Sequence, residues 1–395
     1  MGQVDAFRRI AEVLRSAQRA AIEVENAPDR RKRLRTFSVQ EAATLLGVTQ
    51  RDLRAAAGPS GRGIPAPTRL GFAELQALRA ALQGQAEGVA PVPTRQPECG
   101  EDLATVAFTN FKGGSAKTTS SVHFAQYLAL AGYRVLLVDL DSQGSATAQF
   151  GMDPSTEVGR ENSFAAWTAA RDAGTLIDPQ ALCQATYWPA IDLVPAGAIL
   201  SEAEESLSRR AASGSPEPIL YFEELAAFLT ALGSRYDIAV IDTRPDVNML
   251  MTAALHAATG VVVPTRATMT DLASTGEFFG HLASYVSDFQ AAFGQGLDFV
   301  FTRILITAYD PTDRSQEALV ALLRERFGDA ILPGEFLHSS VMGTAGFGKE
   351  TLYEYEPSTD RTAYNRVLAS ANAVNRAIER EVQRAWGRPV AEIAA

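Results

Sequence analysis

Cysteine is scarce in this chain, which has only Cys99 and Cys183 among 395 residues. Two cysteines are too few for a disulfide framework, and their spacing does not fit a metal site. The four histidines show no paired metal-ligand spacing either. These absences argue against a zinc or iron centre and fit a protein of the reducing cytoplasm.

Long apolar runs are also missing. No stretch of 18 or more apolar residues occurs, and the first ten residues carry Asp5, Arg8 and Arg9 where a signal peptide needs an apolar core. The sequence therefore predicts a soluble, cytoplasmic protein that is neither exported nor held in a membrane. With 46% hydrophobic residues, the chain can still bury one large core and leave a second, smaller unit.

Acidic residues outnumber basic ones, but unevenly along the chain. The net charge is −10, yet the first 98 residues hold 15 Lys and Arg against 10 Asp and Glu, and the remainder holds 21 against 36. A basic N-terminal part on an acidic body suggests that the basic part contacts phosphate. The alternative is an ordinary solvated basic face.

The pattern of apolar residues divides the chain into four parts. Residues 1–28 show the spacing of an amphipathic helix, and residues 36–83 contain short helical patterns. Residues 84–103 are rich in Pro, Gly and Gln and predict a linker. From residue 104 to 395, continuous apolar strands alternate with helices, which predicts an α/β domain whose mainly parallel sheet is covered by helices on both faces.

The first motif of this domain follows its first predicted strand. Residues 110–119 read N-F-K-G-G-S-A-K-T-T, and a tight turn at a helix N-terminus exposes backbone N–H groups that can cradle phosphate. Gly113 and Gly114 would allow close approach, Lys117 would neutralise the outer phosphates and Thr118 would bind Mg²⁺. Because Ala116 replaces the last glycine of the general Walker A pattern and the first glycine is missing, a structural turn is the alternative.

Two further segments contain carboxylates at strand ends. Residues 138–147 read V-D-L-D-S-Q-G-S-A-T, and residues 236–245 read Y-D-I-A-V-I-D-T-R-P. Asp139, Asp141 and Asp242 each end an apolar strand, so they should reach the carboxyl edge of the sheet beside the loop. Carboxylates there can hold Mg²⁺ or orient an attacking water. For Asp242 alone, a strand-end turn residue is the alternative.

These three segments together resemble the ParA/MinD family of P-loop NTPases. Lys112 matches the signature lysine of the deviant Walker A loop K-G-G-x-x-K-T-T, the second segment is similar to D-x-D-P-Q-G-x-A-T, and the third is similar to a Walker B strand. The resemblance implies ATP or ADP with Mg²⁺ as ligands and an ATP-sandwich homodimer in which Lys112 reaches the partner's nucleotide. It also implies that Asp141 takes part in hydrolysis and that Lys117 contacts the phosphates.

The same resemblance predicts the remaining contacts of the site. The residues predicted to bind the nucleotide are those of the loop, residues 112–119. They are Lys112, Gly113, Gly114, Ser115, Ala116, Lys117, Thr118 and Thr119. Pro264 and Thr265 are predicted to line the base, and the metal ligands are predicted to be Thr118, Asp139 and Asp242. Ser142 and Arg244 stand where the family pattern has proline.

The N-terminal part has its own signal. Ser38 and Glu41 predict a capping box, Gly47 a turn and Thr49 a second cap, which together indicate a helix-turn-helix. A glycine-, proline- and arginine-rich stretch after the second helix predicts a wing, so we expect an all-α winged head over residues 36–83. Its DNA contacts are predicted to be Gln50, Arg51, Arg54 and Arg62, although many small helical hairpins bind no DNA.

The order of helix, winged head and deviant Walker domain is similar to the larger ParA proteins, in particular the RepA partition proteins of repABC-type plasmids. The resemblance implies a nucleoid-associated protein with operator DNA, nonspecific DNA and a ParB-type centromere-binding protein as partners. It makes residues 1–28 a dimerisation helix. Candidate residues for the nonspecific DNA surface are Lys349, Arg361, Arg366 and Arg376. A nucleotide-sensing repressor is the main alternative, and a MinD-like membrane switch a weaker one, because the C-terminus lacks a basic amphipathic helix.

Overall fold

The computed structural model describes residues 4–6, 8–10, 12–14, 16, 32–56, 69–82, 94–213, 220–294, 296–339, 350–356 and 361–390. The chain divides into two compact units, Met1–Leu34 and Arg35–Ala395. In the first unit, the described residues between 4 and 16 are helical. Among the described residues of this helix, Val4, Ile10, Val13 and Leu14 are each more than half exposed.

The second unit begins with a small head. Two short strands, Phe37–Ser38 (β1) and Arg69–Leu70 (β2), pair antiparallel. The helices of the head are Val39–Leu46 (α1), Gln50–Ala56 (α2) and Phe72–Leu82 (α3).

Both predicted caps of the head are confirmed. The Ser38 hydroxyl accepts from the Glu41 N–H at 3.2 Å while Glu41 Oε2 accepts from the Ser38 N–H at 2.8 Å. Thr49 caps α2 by accepting from the Asp52 N–H at 3.2 Å. Gly47 ends α1 with φ 68°, a left-handed conformation that glycine adopts without strain.

The larger part of the second unit is an α/β layer structure. Its strands are Ala104–Phe108 (β3), Val135–Leu140 (β4), Gln184–Ala185 (β5), Ile191–Val194 (β6), Ile238–Thr243 (β7), Gly260–Arg266 (β8), Phe301–Tyr309 (β9) and Ile331–Leu337 (β10). They form one sheet in the order β10-β9-β8-β3-β7-β4-β6-β5. All neighbouring pairs are parallel except β5 with β6, which confirms the predicted mainly parallel sheet.

Helices pack against this sheet and bury its apolar strands. They are Lys117–Ala131 (α4), Ser145–Gln149 (α5), Phe164–Asp172 (α6), Leu200–Ser213 (α7), Glu224–Ala231 (α8), Met249–Ala257 (α9), Met269–Phe293 (α10), Arg314–Phe327 (α11) and Arg361–Ala385 (α12). Every residue of β3, β4 and β7 is buried. Strands buried on both sides read as the continuous apolar runs that the sequence shows.

The described end of the predicted linker is packed onto this domain. Arg95 is buried, and its guanidinium donates to the carbonyl oxygens of Tyr236 at 2.8 Å and Gly233 at 2.6 Å. Residues 94–103 are therefore tied to the segment that leads into β7 rather than spanning free solvent. Within the part of the chain that the structure describes, no helix combines the length and apolar character needed to cross a membrane.

A short segment after β10, residues 350–356, connects the head with the α/β layers, and we call it the strap. On the head side, Arg69 forms an ion pair with Glu356 at 2.8 Å, and Arg35 Nε donates to the Tyr353 carbonyl at 2.9 Å. On the other side, Glu354 accepts from Gln126 Nε2 at 2.9 Å. The strap therefore holds the head against α4.

Helix α3 contributes a second contact between the head and α4. The buried guanidinium of Arg79 donates to the Leu130 carbonyl at 2.6 Å, and Gln76 Nε2 donates to the Ala129 carbonyl at 3.1 Å. These acceptors belong to the last turn of α4, where carbonyls lack the usual intrahelical partner, although the Ala129 carbonyl also accepts from the Gly132 N–H at 3.1 Å. The head thus caps the C-terminal end of the helix that begins at the phosphate loop.

Candidate functional site

The loop between β3 and α4 has the backbone shape of a phosphate cradle. Gly114 has φ 76° and Ala116 has φ 70°, so both adopt the left-handed conformation. This conformation costs a non-glycine residue roughly 1–2 kcal/mol. The geometry explains why the general Walker A pattern places glycine where this chain has Ala116, and it locates local strain at the loop.

Lys117 opens α4 and points back along the loop. It is 6% exposed, and its ammonium donates to the Lys112 carbonyl at 3.0 Å. Burial lowers the pKa of Lys117 to about 8, although the carboxylates of Asp242 and Asp141 act in the opposite direction. The side chain is thus a desolvated cation poised at the loop, where an anionic group would stabilise its charge.

Polar side chains fasten the loop to strands beneath it. Asn110 Nδ2 donates to the Pro264 carbonyl at 2.8 Å, while Asn110 Oδ1 accepts from the Lys112 N–H at 3.2 Å. The Thr307 hydroxyl of β9 donates to the Ser115 carbonyl at 3.0 Å. The roles of Asn110 and Thr307 were not predicted from the sequence, although a buried polar residue in or after an apolar strand is a usable signal.

Pro264 and Thr265 lie near the end of β8 and are buried beneath the loop. The Thr265 hydroxyl lies 3.0 Å from that of Thr275, and Asn110 Nδ2 lies 3.4 Å from Thr265 Oγ1. Their observed contacts therefore support the loop from below. Their predicted contact with the base stays a prediction.

The two carboxylates at the ends of β4 and β7 are register neighbours with different surroundings. Asp139 pairs with Asp242 across the parallel strands, and both are fully buried. Asp139 accepts three hydrogen bonds. One oxygen accepts from the Asp141 N–H at 3.0 Å, and the other accepts from the Thr147 N–H at 2.9 Å and from the Thr147 hydroxyl at 2.8 Å. Burial raises the pKa of Asp139 to about 6, against the effect of these hydrogen bonds.

Asp242 has the opposite environment. Among the described residues, neither of its carboxylate oxygens forms a hydrogen bond of ordinary geometry, although the side chain is 0% exposed. Burial raises its pKa well above the ordinary value, the nearby charge of Asp139 adds to this, and the Thr118 hydroxyl and Lys117 act in the opposite direction. A buried carboxylate without partners is costly unless a cation compensates it. The donor set of Asp242 and Thr118 is all oxygen, which fits Mg²⁺.

Asp141 lies between buried and exposed, at the start of the turn that follows β4. Its Oδ1 accepts from the Gln143 N–H at 2.9 Å, so the carboxylate is oriented by its own turn. Its charge raises the pKa of both Asp242 and Lys117, which places it in the same electrostatic cluster. The structure therefore brings all three sequence segments to one edge of the sheet.

The remaining predicted site residues of the loop differ in exposure. Gly113 and Gly114 are exposed, Lys112 is half-buried and Ser115 is buried. A side chain built at Gly113 would meet no atom of the described residues within 4 Å. Thr119 follows Thr118 in the first turn of α4. Arg244, which replaces a proline of the family pattern, forms an ion pair with Asp246 at 3.3 Å.

The predicted DNA contacts of the head are partly described. Gln50, Arg51 and Arg54 are exposed on α2, and Arg54 Nη2 donates to Gln50 Oε1 at 3.4 Å. Leu53 of the same helix is 1% exposed and anchors its opposite face. Arg62 lies outside the described residues, as does the predicted wing except for its last residue, Arg69, which belongs to β2.

The candidate residues for the nonspecific DNA surface lie mainly on α12. Arg361, Arg366 and Arg376 are exposed, whereas Lys349 lies outside the described residues. Arg376 also interacts with Tyr127 of α4 and thereby lowers the pKa of that phenol against the larger effect of burial. Exposure is compatible with a DNA surface and equally with a solvated helix face.

Comparisons with known proteins agree with this geometry. A family model described as an AAA domain matches residues 103–297. A putative replication protein A from Rhizobium rhizogenes is 33% identical over 92% of this chain and 90% of its own length. The chromosome-partitioning ATPase Soj from Thermus thermophilus is 30% identical over 68% of this chain and 95% of its own.

A solved structure extends the comparison to a ligand-bound protein. The cobyrinic acid a,c-diamide synthase from Mycobacterium smegmatis, solved with ADP and magnesium, is 26% identical and superposes with a TM-score of 0.50. The match covers 63% of this chain and 92% of that protein. The shared fold thus occurs in a protein that binds a nucleotide and magnesium.

Proposed function

Because this chain belongs to the ParA/MinD family of P-loop ATPases, we propose that it is an ATP-hydrolysing DNA-partition switch. ATP and Mg²⁺ close a homodimer, the closed dimer binds DNA without sequence preference, and a ParB-type centromere-binding partner stimulates hydrolysis. The protein then works in the cytoplasm on the nucleoid. Slow turnover sets the lifetime of the DNA-bound state.

The observation that carries this proposal is the pair of unpartnered, buried oxygens of Asp242 beside the desolvated Lys117. A magnesium–nucleotide complex supplies the cation that Asp242 lacks and the anion that Lys117 lacks. We assign Thr118 and Asp242 to Mg²⁺, which would neutralise charge on the phosphates. For Asp139 we propose a supporting role in the magnesium site, since its oxygens already accept three hydrogen bonds that hold Asp141 and Thr147 in place.

The other residues of the site divide the remaining work. The backbone N–H groups of residues 112–119 cradle the phosphates, and Lys117 donates to the outer ones. Asp141 orients the attacking water, because its carboxylate is half-buried, oriented by its own turn and close to the cluster. Lys112 reaches the nucleotide of the partner subunit, and Pro264 and Thr265 contact the base.

The role of Asp141 gives the first test. The Asp141→Asn variant should bind ATP as the native protein does, while its hydrolysis falls roughly 100-fold or more, because a group that positions the nucleophile contributes about that factor. Phosphate release under single-turnover conditions measures the rate, and Asp178→Asn serves as an exposed control. Native hydrolysis by Asp141→Asn would remove Asp141 from the reaction.

The head adds a second proposed activity. Exposed Gln50, Arg51 and Arg54 line α2, and the head stands in the basic part of the chain. These groups can reach base edges and phosphates. We propose that the head, with Arg62, binds operator DNA and represses the protein's own operon, while residues 1–28 aid dimerisation. A repressor that only senses nucleotide is the competing function.

A further inference from the structure

The loop has a cation on its open side that neither the sequence motifs nor the proposed roles use. Arg266 ends β8 and is exposed. A side chain built at Gly114 would have the Arg266 Nη2 atom 3.8 Å away and no other atom of the described residues within 4 Å. The guanidinium therefore lies beside the loop at Gly114.

The position of Arg266 is fixed by the strands around the loop. In the register of β8 with β9, Arg266 pairs with Thr307, the residue whose hydroxyl binds the Ser115 carbonyl. Two residues earlier, the Pro264 carbonyl accepts from Asn110. Both sides of the arginine are thus tied to the phosphate loop, so its backbone cannot shift independently of the cradle.

The charge of Arg266 is also uncompensated. Among the described residues it takes part in no ion pair, and its backbone carbonyl accepts from the Thr268 N–H at 2.9 Å. Other exposed arginines of the domain do pair with carboxylates, such as Arg324 with Glu335. An unpaired guanidinium beside a phosphate cradle has the geometry to bind phosphate oxygens, which arginine does with two parallel donors.

We propose that Arg266 is a phosphate ligand of the nucleotide, contributed by the end of β8 and acting beside the two loop lysines. This inference rests on the proposed function and adds a third cation to the same site. The ligand class is a nucleoside triphosphate or diphosphate, and the adenosine part makes no contact with the guanidinium. Loss of the Arg266 side chain should weaken nucleotide binding more when the nucleotide carries more phosphates. It should not affect folding.

The test is a calorimetric titration of the full chain with ATP, ADP and AMP in the presence of Mg²⁺. Arg266→Ala should bind ATP roughly 10-fold more weakly, because one charge-assisted hydrogen bond to phosphate is lost and this one is exposed. AMP binding and the unfolding midpoint should stay native, and Arg266→Lys should recover part of the ATP affinity. Arg326→Ala, an exposed arginine on α11, is the matched control.

The outcomes separate this inference from the proposed function. Native ATP affinity in Arg266→Ala, together with a loss in Lys117→Ala, overturns the role of Arg266 and leaves the nucleotide site in place. Native ATP affinity with weakened binding to random-sequence duplex would instead assign Arg266 to DNA and also overturn it. If the native chain itself bound no ATP, the proposed function would fail first.

Discussion

Replacing Lys117 with alanine is expected to weaken ATP–Mg²⁺ binding roughly 10- to 150-fold, the range that one lost charge-assisted hydrogen bond implies. The native ammonium is 6% exposed and donates to the Lys112 carbonyl at 3.0 Å, so it is held at the loop before any nucleotide arrives. Burial removes water from the Lys117 ammonium and disfavours its charge. The phosphates would therefore bind a cation that water solvates poorly. Calorimetric titration measures the change.

The second lysine of the loop provides the matched control. Lys112 contributes its backbone carbonyl and N–H to the loop, and in the proposed mechanism its side chain serves the partner's nucleotide. Lys112→Ala should therefore keep most of the affinity at dilute, monomeric concentrations and lose ATP-dependent dimerisation. If Lys117→Ala bound ATP with native affinity, the loop would not be the phosphate site.

Replacing Glu354 of the strap with alanine is expected to lower the free energy of unfolding by about 3–5 kcal/mol, near the upper end for single substitutions. Glu354 is 8% exposed. Its carboxylate accepts from Gln126 and Trp188 side chains at 2.9 Å, from the Thr351 N–H at 3.0 Å and from the Tyr187 hydroxyl. Truncation leaves the buried donors of Gln126, Trp188 and Thr351 without this acceptor, whereas the Tyr187 hydroxyl keeps the Gln149 carbonyl at 3.4 Å. Urea denaturation followed by circular dichroism measures the loss.

Glu356 is the control for this prediction, because it lies two residues away in the same strap. Its side chain is 48% exposed and forms an ion pair with Arg69, which is 38% exposed. Exposed pairs contribute about 0–1 kcal/mol, so Glu356→Ala should change the unfolding free energy by less than about 1 kcal/mol. Equal losses in the two variants would mean that the buried hydrogen bonds of Glu354 do not stabilise the strap.

The sheet could be predicted from sequence because its strands are wholly apolar. The short apolar run 104–110 predicts the strand before the loop, whereas β3 ends at Phe108. The two extra residues are polar ones whose chain already turns into the loop, where Asn110 binds the Pro264 carbonyl. The antiparallel strand β5 was missed because it is only two residues long. Two residues carry no periodic signal.

The positions of the site residues were predictable, but their division of labour was not. Asp139 and Asp242 both end apolar strands, so the sequence makes them equivalent metal ligands. The structure separates them, because Thr147 and the Asp141 N–H occupy the oxygens of Asp139 while those of Asp242 stay unpartnered. Contacts between segments far apart in the sequence decide this difference. Arg266 was missed for the same reason, since only the fold brings it to Gly114.

The contact between the head and the α/β layers also could not be predicted from the sequence. Arg79 reads as an ordinary helix-surface arginine, yet it is 7% exposed and donates to the Leu130 carbonyl at the end of α4. Burial lowers its pKa, while the charge of Glu379 raises it. Such a partner can be recognised only once the helix ends are placed together.

The most direct measurement is co-sedimentation of the purified chain with random-sequence duplex DNA, with ATP or ADP and with native protein or Lys117→Ala. We expect the native chain to pellet with DNA in the presence of ATP and to bind little DNA in the presence of ADP. Lys117→Ala should stay in the supernatant under both conditions. DNA binding that is independent of the nucleotide and occurs only on an operator sequence would contradict the proposed partition switch. In that case the head alone binds DNA, and a repressor function replaces the partition switch.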